Sequence, residues 1–295
     1  MHALVIVIAL GLPVLIVALI VLLVAQRGGP PHDLDATVVA ARRHETRISA
    51  VAATTSIVIA LALWIAAATW SQPGVLLGVA PFAAALTFSL ARAVGEARWP
   101  RPTGEVRSAP LVRRSLGDQG GWRLPLLAST VAGLVVALVV FGLTAAGDGR
   151  SVERVLDAGR ETHSAGPYPG WAVGVPALLV LALAVGATLV ALRAVTRRPP
   201  IGLLSPEQDD AIRRTSAARV LAGAQLWVGV GAAAYLAFAA GALLRVDWLG
   251  GGIVCLLLAV VAFVGSVVVA ATALPSRRTR AAVGVPRTAT PGPVA

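Results

Sequence analysis

The sequence predicts an all-α protein, a polytopic transmembrane helical bundle of about seven spans, with its N-terminus outside and its C-terminus cytoplasmic. Three observations carry this. First, 57% of the 295 residues are hydrophobic and only 13% are charged, about half the charged share of a soluble domain. Second, the charges are clustered, which leaves uncharged apolar runs of the length that crosses a bilayer. Third, the arginines alternate in density from one connecting segment to the next, as membrane topology requires.

Seven runs are long enough to cross about 30 Å of hydrocarbon: 3–25, 48–70, 74–92, 124–146, 171–192, 220–244 and 253–273. Backbone polar groups in lipid must bond within their own segment, so such runs fold as helices. The first run differs from a cleavable signal: Arg27 follows rather than precedes it, and it is long. It reads as an uncleaved span. Together the runs define a transmembrane domain over 1–274. The remaining 275–295, PSRRTRAAVGVPRTATPGPVA, is rich in Pro, Thr and Arg without apolar periodicity, and is expected to be a disordered cytoplasmic tail.

All 25 basic residues are arginine. The segments 26–47, 93–123, 193–219 and 274–295 hold 21 of them, counting Arg92 at the edge of the third run. The opposite segments hold Arg150, Arg154, Arg160 and Arg245. That places the arginine-rich side in the cytoplasm. The net charge of +11 is thereby explained without nucleic acid, for which no basic stripe with interleaved aromatics exists. Trp70, Trp99, Trp122, Trp171 and Trp248 fall near the expected interfaces, whereas Trp64 and Trp227 are expected between helices. Usage rich in Arg, Ala, Val and Gly points to a GC-rich bacterial genome.

The segment SPEQDDAIRRTSAARVL opens a helix that runs into the sixth span. Ser205 is the expected N-cap, Pro206 the first helical residue, and Gln208 completes a capping box. Asp209 and Asp210 pair with Arg213 and Arg214 at four-residue spacing. A similar order of Pro-Pro, an acidic pair and Arg-Arg precedes the second span (Pro30, Pro31, Asp33, Asp35, Arg42, Arg43). It permits a parallel repeat of spans one to three and five to seven, a plan found among transporters; the positive-inside rule also accounts for it. Gly229, Ala233, Ala237 and Gly241 form a small-residue ladder suited to internal helix packing.

No ionisable residue lies well inside a predicted span, which counts against a proton-coupled pump. The polar residues that remain there are expected to bond to their own backbone or to a neighbouring helix. Gln225 and Tyr235 are the candidates for solute contact or polar helix packing. Pro13, Pro81 and Pro176 are placed to kink their helices. There is no Walker loop and no HExxH motif, and the single Cys255 excludes an internal disulfide and a cysteine zinc cluster. No cofactor or catalytic residue is assigned.

The expected external segment, GDGRSVERVLDAGRETHSAGPYPGW, is the richest in chemistry. Its spacing predicts a short amphipathic surface helix with Glu153, Asp157 and Glu161 on one stripe and His163 nearby, the candidate metal-holding residues. The interleaved Arg150, Arg154 and Arg160 neutralise that stripe, and a rod offers no tight oxygen loop for calcium, so a solvated face is the expectation. GPYPGW is expected to turn Tyr168 and Trp171 into the headgroup layer.

GPYPGW at 166–171, RRPP at 197–200 and DDAIRRTSAARVL at 209–221 resemble segments of uncharacterised multi-pass integral membrane proteins of actinobacteria. The resemblance implies location and origin and carries no activity. The expected function is an integral protein of the bacterial plasma (inner) membrane, a non-catalytic structural or interaction component. Its expected partners are the lipid bilayer, anionic inner-leaflet lipids and a cytoplasmic protein or membrane partner. The alternatives are a facilitative transporter or permease-like subunit for a small solute, and a membrane enzyme with its site in the external loop.

Overall fold

The computed structural model describes residues 36–70, 72–99, 115–156, 161–199 and 206–273. The expected first span (3–25), the cap Ser205, Asp157 and the tail 275–295 lie outside the described residues. Six of the described helices are long and apolar enough to cross a membrane. In chain order the elements are α1 (Ala36–Thr69), α2 (Pro73–Ala97), a short α3 (Leu116–Gly120), α4 (Arg123–Thr144), β1 (Val152–Leu156), β2 (Glu161–Ala165), α5 (Trp171–Arg197), α6 (Pro206–Arg245) and α7 (Leu249–Thr272). The six long helices coincide with the second to seventh predicted runs, several of them extending further at the arginine-rich end.

The chain is mostly helical as expected, and the strands correct the reading of one segment. Residues 152–165 form an antiparallel hairpin in which Val152 pairs with Ala165 and Arg154 with His163, in place of an amphipathic helix. The helical reading rested on four-residue spacing of charges. The competing period of two, Val152 inward, Glu153 outward and Arg154 inward, was present in the same residues. Val152, Ala165 and Tyr168 are buried, so the hairpin lies on the bundle through one face.

Helix α6 is the centre of the bundle. It packs against α7 most extensively and also meets α2, α4 and α5, while α2 lies between α1 and α5. Small residues set these approaches. A Cβ on Gly229 would fall 1.6 Å from the Ser266 Oγ of α7, one on Gly231 would fall 2.6 Å from the Phe82 ring of α2, and one on Gly223 would strike the Phe88 ring. Gly241, the far end of the expected ladder, meets only Arg245 of its own helix at 3.8 Å, so the close contacts are distributed over two faces rather than one. Pro81 and Pro176 lie within α2 and α5 without interrupting either assignment.

The helix ends follow local chemistry. Pro73 and Pro206 occupy the first positions of α2 and α6, where no amide donor is needed. Ser115 caps α3 by accepting the Asp118 amide at 3.1 Å, and Asp118 accepts from the Ser115 amide in return. The turn from α6 to α7 is made by Asp247 in the left-handed region at φ 59°.

Replacing Gly229 by Ala is expected to cost about 1–3 kcal/mol through overpacking. Gly133→Ala, whose added methyl meets nothing within 4 Å, should be neutral or stabilising by up to about 1 kcal/mol. Thermal unfolding of both variants in one detergent checks the pair, and equal midpoints would contradict the packing.

Candidate functional site: a buried charge cluster at the arginine-rich end

At the arginine-rich end, four helices meet on charged rather than apolar side chains. Arg92 of α2 is fully buried. Its Nη2 donates to Glu45 Oε1 of α1 at 3.0 Å and to Glu96 Oε1, one turn along its own helix, at 3.2 Å. Its Nη1 donates to Ser49 Oγ at 3.0 Å. From α6, Arg219 donates to Glu45 Oε1 at 3.0 Å and Ser216 Oγ donates to Glu45 Oε2 at 3.2 Å. Glu45 therefore receives hydrogen bonds from two other helices, and α1, α2 and α6 are joined through one carboxylate.

Arg198, immediately after α5, closes the cluster. Its Nη1 lies 3.5 Å from Glu96 Oε2 and 3.5 Å from Ser216 Oγ, and its guanidinium carbon stands 4.1 Å above the Trp99 ring. The Trp99 ring also meets that of His44 at right angles, with centroids 5.2 Å apart, and His44 Nε2 lies 3.1 Å from the Gly95 carbonyl. Trp99 is thus buried as a stacking platform. The predicted Asp209–Arg213 pair is present at 2.7 Å. It is buried, and Arg213 also donates to the Val195 and Arg198 carbonyls at 2.9 and 2.8 Å, satisfying the last carbonyls of α5.

Counted from the sequence alone, spans ended at 92 and began again at 48 and 220, so Glu45 and Glu96 read as loop residues and Ser216 as part of the helix leading into the sixth span. The helices continue past those limits and carry these groups into the packed end of the bundle. One signal was available: Arg92 and Glu96 stand four residues apart on a continuous helix, the spacing of an intrahelical pair. Their partners on α1 and α6 had no signature in sequence.

Within the apolar body the polar groups are paired across helices. Gln225 Nε2 of α6 donates to Thr130 Oγ1 of α4 at 2.9 Å and approaches Ser266 Oγ of α7 at 3.4 Å. Ser89 and Thr188 join α2 to α5 at 2.9 Å, and the Trp227 indole donates to Ser56 of α1 at 3.2 Å. Thr55, Thr87 and Thr130 bond back to their own helices. Tyr235 is buried against Phe82, with a hydroxyl that has no hydrogen-bond partner, near Gly78.

At the opposite end, the hairpin separates Glu153 from His163. Glu153 is exposed and registers with Ser164, one position away from the Arg154–His163 pair, so it faces away from His163. His163 lies instead 3.4 Å from Asp247 of the α6–α7 turn. Arg154 donates to the Val246 carbonyl at 3.5 Å and also to that of Asp247, while Arg245 donates to the Gly166 carbonyl at 2.7 Å. These arginines fasten the hairpin to the bundle. Among the described residues, no three His, Cys, Asp or Glu side chains gather as a metal site. Asp148 organises the turn before β1 by accepting the Arg150 and Ser151 amides at 2.8 and 2.9 Å, which holds its carboxyl below the usual range. Tyr168 is buried, its hydroxyl 2.6 Å from Thr144 and its ring against Phe141.

No family model, curated protein or solved structure matched this chain.

Removing one member of a buried ionic set leaves the others desolvated, at a cost of about 3–5 kcal/mol. Arg92→Met should lower stability by that order. Arg43→Gln, at an exposed position on α1, should change it by less than about 0.5 kcal/mol. Unfolding titrations in mixed micelles measure both, and a mild Arg92→Met phenotype would show that the cluster carries little.

Proposed function

We propose that this chain is a bacterial plasma-membrane protein, a non-catalytic structural or interaction component whose arginine-rich end lies at the cytoplasmic leaflet. The observation that carries the reading is how the polar groups are used. Gln225, Ser89, Thr188, Ser56 and Trp227 are hydrogen-bonded between helices of the apolar body, and the ionised groups are joined to each other at one end. Side chains committed to neighbouring helices are not available to coordinate a passing solute or to transfer a proton; of the Gln225 amide, only the oxygen is left without a partner among the described residues. The dispersed residues Glu153 and His163 likewise support no external catalytic pair.

The cytoplasmic placement follows from arginine density and the positive-inside rule. Exposed Arg43, Arg47 and Arg98 stand within two residues of Glu45 or Glu96 in sequence, and each basic group near an anionic leaflet contributes about 1 kcal/mol of attraction. Anionic inner-leaflet lipid, or a cytoplasmic protein with an acidic face, fits that end. The resemblance to actinobacterial multi-pass proteins agrees with this location and adds no mechanism.

Facilitative transport is the second reading, and one observation favours it. The Tyr235 hydroxyl is the described polar group of the inner α2–α6 contact that no other side chain satisfies. A solute path would run past it.

Single cysteines placed in a Cys255→Ala background test the orientation. A membrane-impermeant maleimide applied to intact cells should label Asp148→Cys and spare Gly117→Cys until the cells are opened. The reverse pattern would put the arginine-rich end outside and end the proposal.

A further inference from the structure

Arg198 makes use of only part of its donor capacity. Its side chain is 1% exposed. Nη1 is directed to Glu96 and Ser216, but Nε and Nη2 have no hydrogen-bond partner among the described residues. These two N–H groups lie side by side on one edge of the planar guanidinium, the edge that binds carboxylate or phosphate through two parallel hydrogen bonds. The indole of Trp99 holds the plane from one face at 4.1 Å, so the fork is fixed in orientation before any acceptor arrives. Arg92 also leaves its Nε without a partner, but a single N–H makes no fork.

Charge gives a second, independent reason. Among the described residues the linked set holds four guanidinium groups, of Arg92, Arg198, Arg213 and Arg219, against three carboxylates, of Glu45, Glu96 and Asp209. Arg219 is 26% exposed and is met in part by water, whereas Arg198 is 1% exposed, and a cation away from water is costly unless an anion meets it. A water molecule could accept one of the two hydrogen bonds but would not offset the charge. Position supplies the chemistry of the anion: Arg198 directly follows the last residue of α5 and Trp99 follows the end of α2, at the depth where phospholipid headgroups meet a helix end.

We propose that the Nε–Nη2 edge of Arg198, stacked on Trp99, is an oxyanion site that receives a phosphate group through two charge-assisted hydrogen bonds. The phosphate belongs to an anionic phospholipid headgroup or is free inorganic phosphate. The headgroup source rests on the cytoplasmic-leaflet reading above, and the free-phosphate source does not. The ligand deepens that reading, since it would turn a general attraction between arginines and lipid into a defined site.

The test uses the full chain in a phosphate-free maltoside micelle. Its thermal midpoint is titrated with short-chain phosphatidylglycerol, with the diacylglycerol of the same chains, and with inorganic phosphate against chloride at equal ionic strength. Stabilisation by phosphatidylglycerol but not by the diacylglycerol or inorganic phosphate identifies the headgroup; stabilisation by inorganic phosphate identifies the free ion. In either case Arg198→Lys keeps a cation near Glu96 but loses the fork, and the apparent affinity should fall by about tenfold or more, the ratio that corresponds to about 1.4 kcal/mol. If Arg198→Lys does not fold, Trp99→Leu, which frees the guanidinium to turn, should weaken binding in the same direction. Arg43→Gln with Arg47→Gln should leave the affinity within about twofold, because general surface attraction is weak per charge. The site is overturned if the wild-type midpoint answers to neither probe, or if Arg198→Lys binds as the wild type does. A phosphatidylglycerol response lost in Arg43→Gln/Arg47→Gln but kept in Arg198→Lys would reject the site and leave the leaflet reading standing. Labelling of Gly117→Cys from outside would reject the leaflet reading alone.

Discussion

Burial of the Arg92 guanidinium is the constraint on which the arrangement of the helices depends. A charged side chain with no exposed surface must be met by anions and hydrogen-bond acceptors from whatever packs around it. Here the acceptors come from three helices: Glu45 and Ser49 of α1, Glu96 of α2 itself, and the Ser216 carbonyl of α6. The packing of apolar helices in lipid is weakly directional, because hydrocarbon solvates Leu and Val about as well as a neighbouring helix does. An ionic set has no such freedom. Turning α1 by one residue would move Glu45 away from both arginines, so the cluster fixes rotation and depth where dispersion alone would leave several choices.

Small residues complete what the charges begin. Gly223, Gly229 and Gly231 let α6 approach the phenylalanines of α2 and the serine of α7 so closely that a methyl group would not fit. These contacts run along the apolar body, and the ionic set lies at one end. The hairpin holds the other end through Arg154 and Arg245, each donating to a backbone carbonyl across the element boundary. The bundle is therefore fixed at both ends by arginine, with carboxylates as acceptors at the first and main-chain carbonyls as the main acceptors at the second. An oxyanion on Arg198 would extend the first set outward to the membrane surface.

The helices were legible in the sequence because their signal is a length: an uncharged run of about 20 residues admits one backbone solution in lipid. The Asp209–Arg213 pair and the bonding of Gln225 to a neighbouring helix were legible for similar local reasons. The hairpin was not, since Val152, Val155 and Leu156 satisfy helical spacing while Val152, Arg154 and Leu156 satisfy strand spacing, and only docking of Val152 against the bundle chooses between them. The cluster was hidden for a different reason. Glu45, Arg92 and Ser216 are brought together across separations of up to 171 residues, and hydropathy assigns each of them to a span edge where charge is ordinary. Arg198 looked like one more positive-inside residue, and its stacking on Trp99 needed the helix ends to be placed first.

The central claim is that Arg92 and Glu45 act as one energetic unit, which a double-mutant cycle measures directly. Stability would be compared for the wild type, Arg92→Met, Glu45→Gln and the double variant under one unfolding condition. The account predicts a coupling of about 1.5 kcal/mol or more, with the double variant less damaged than the sum of the two singles. Additivity within about 0.5 kcal/mol would contradict it, and the orientation of α1 on α2 would then have to come from apolar packing alone.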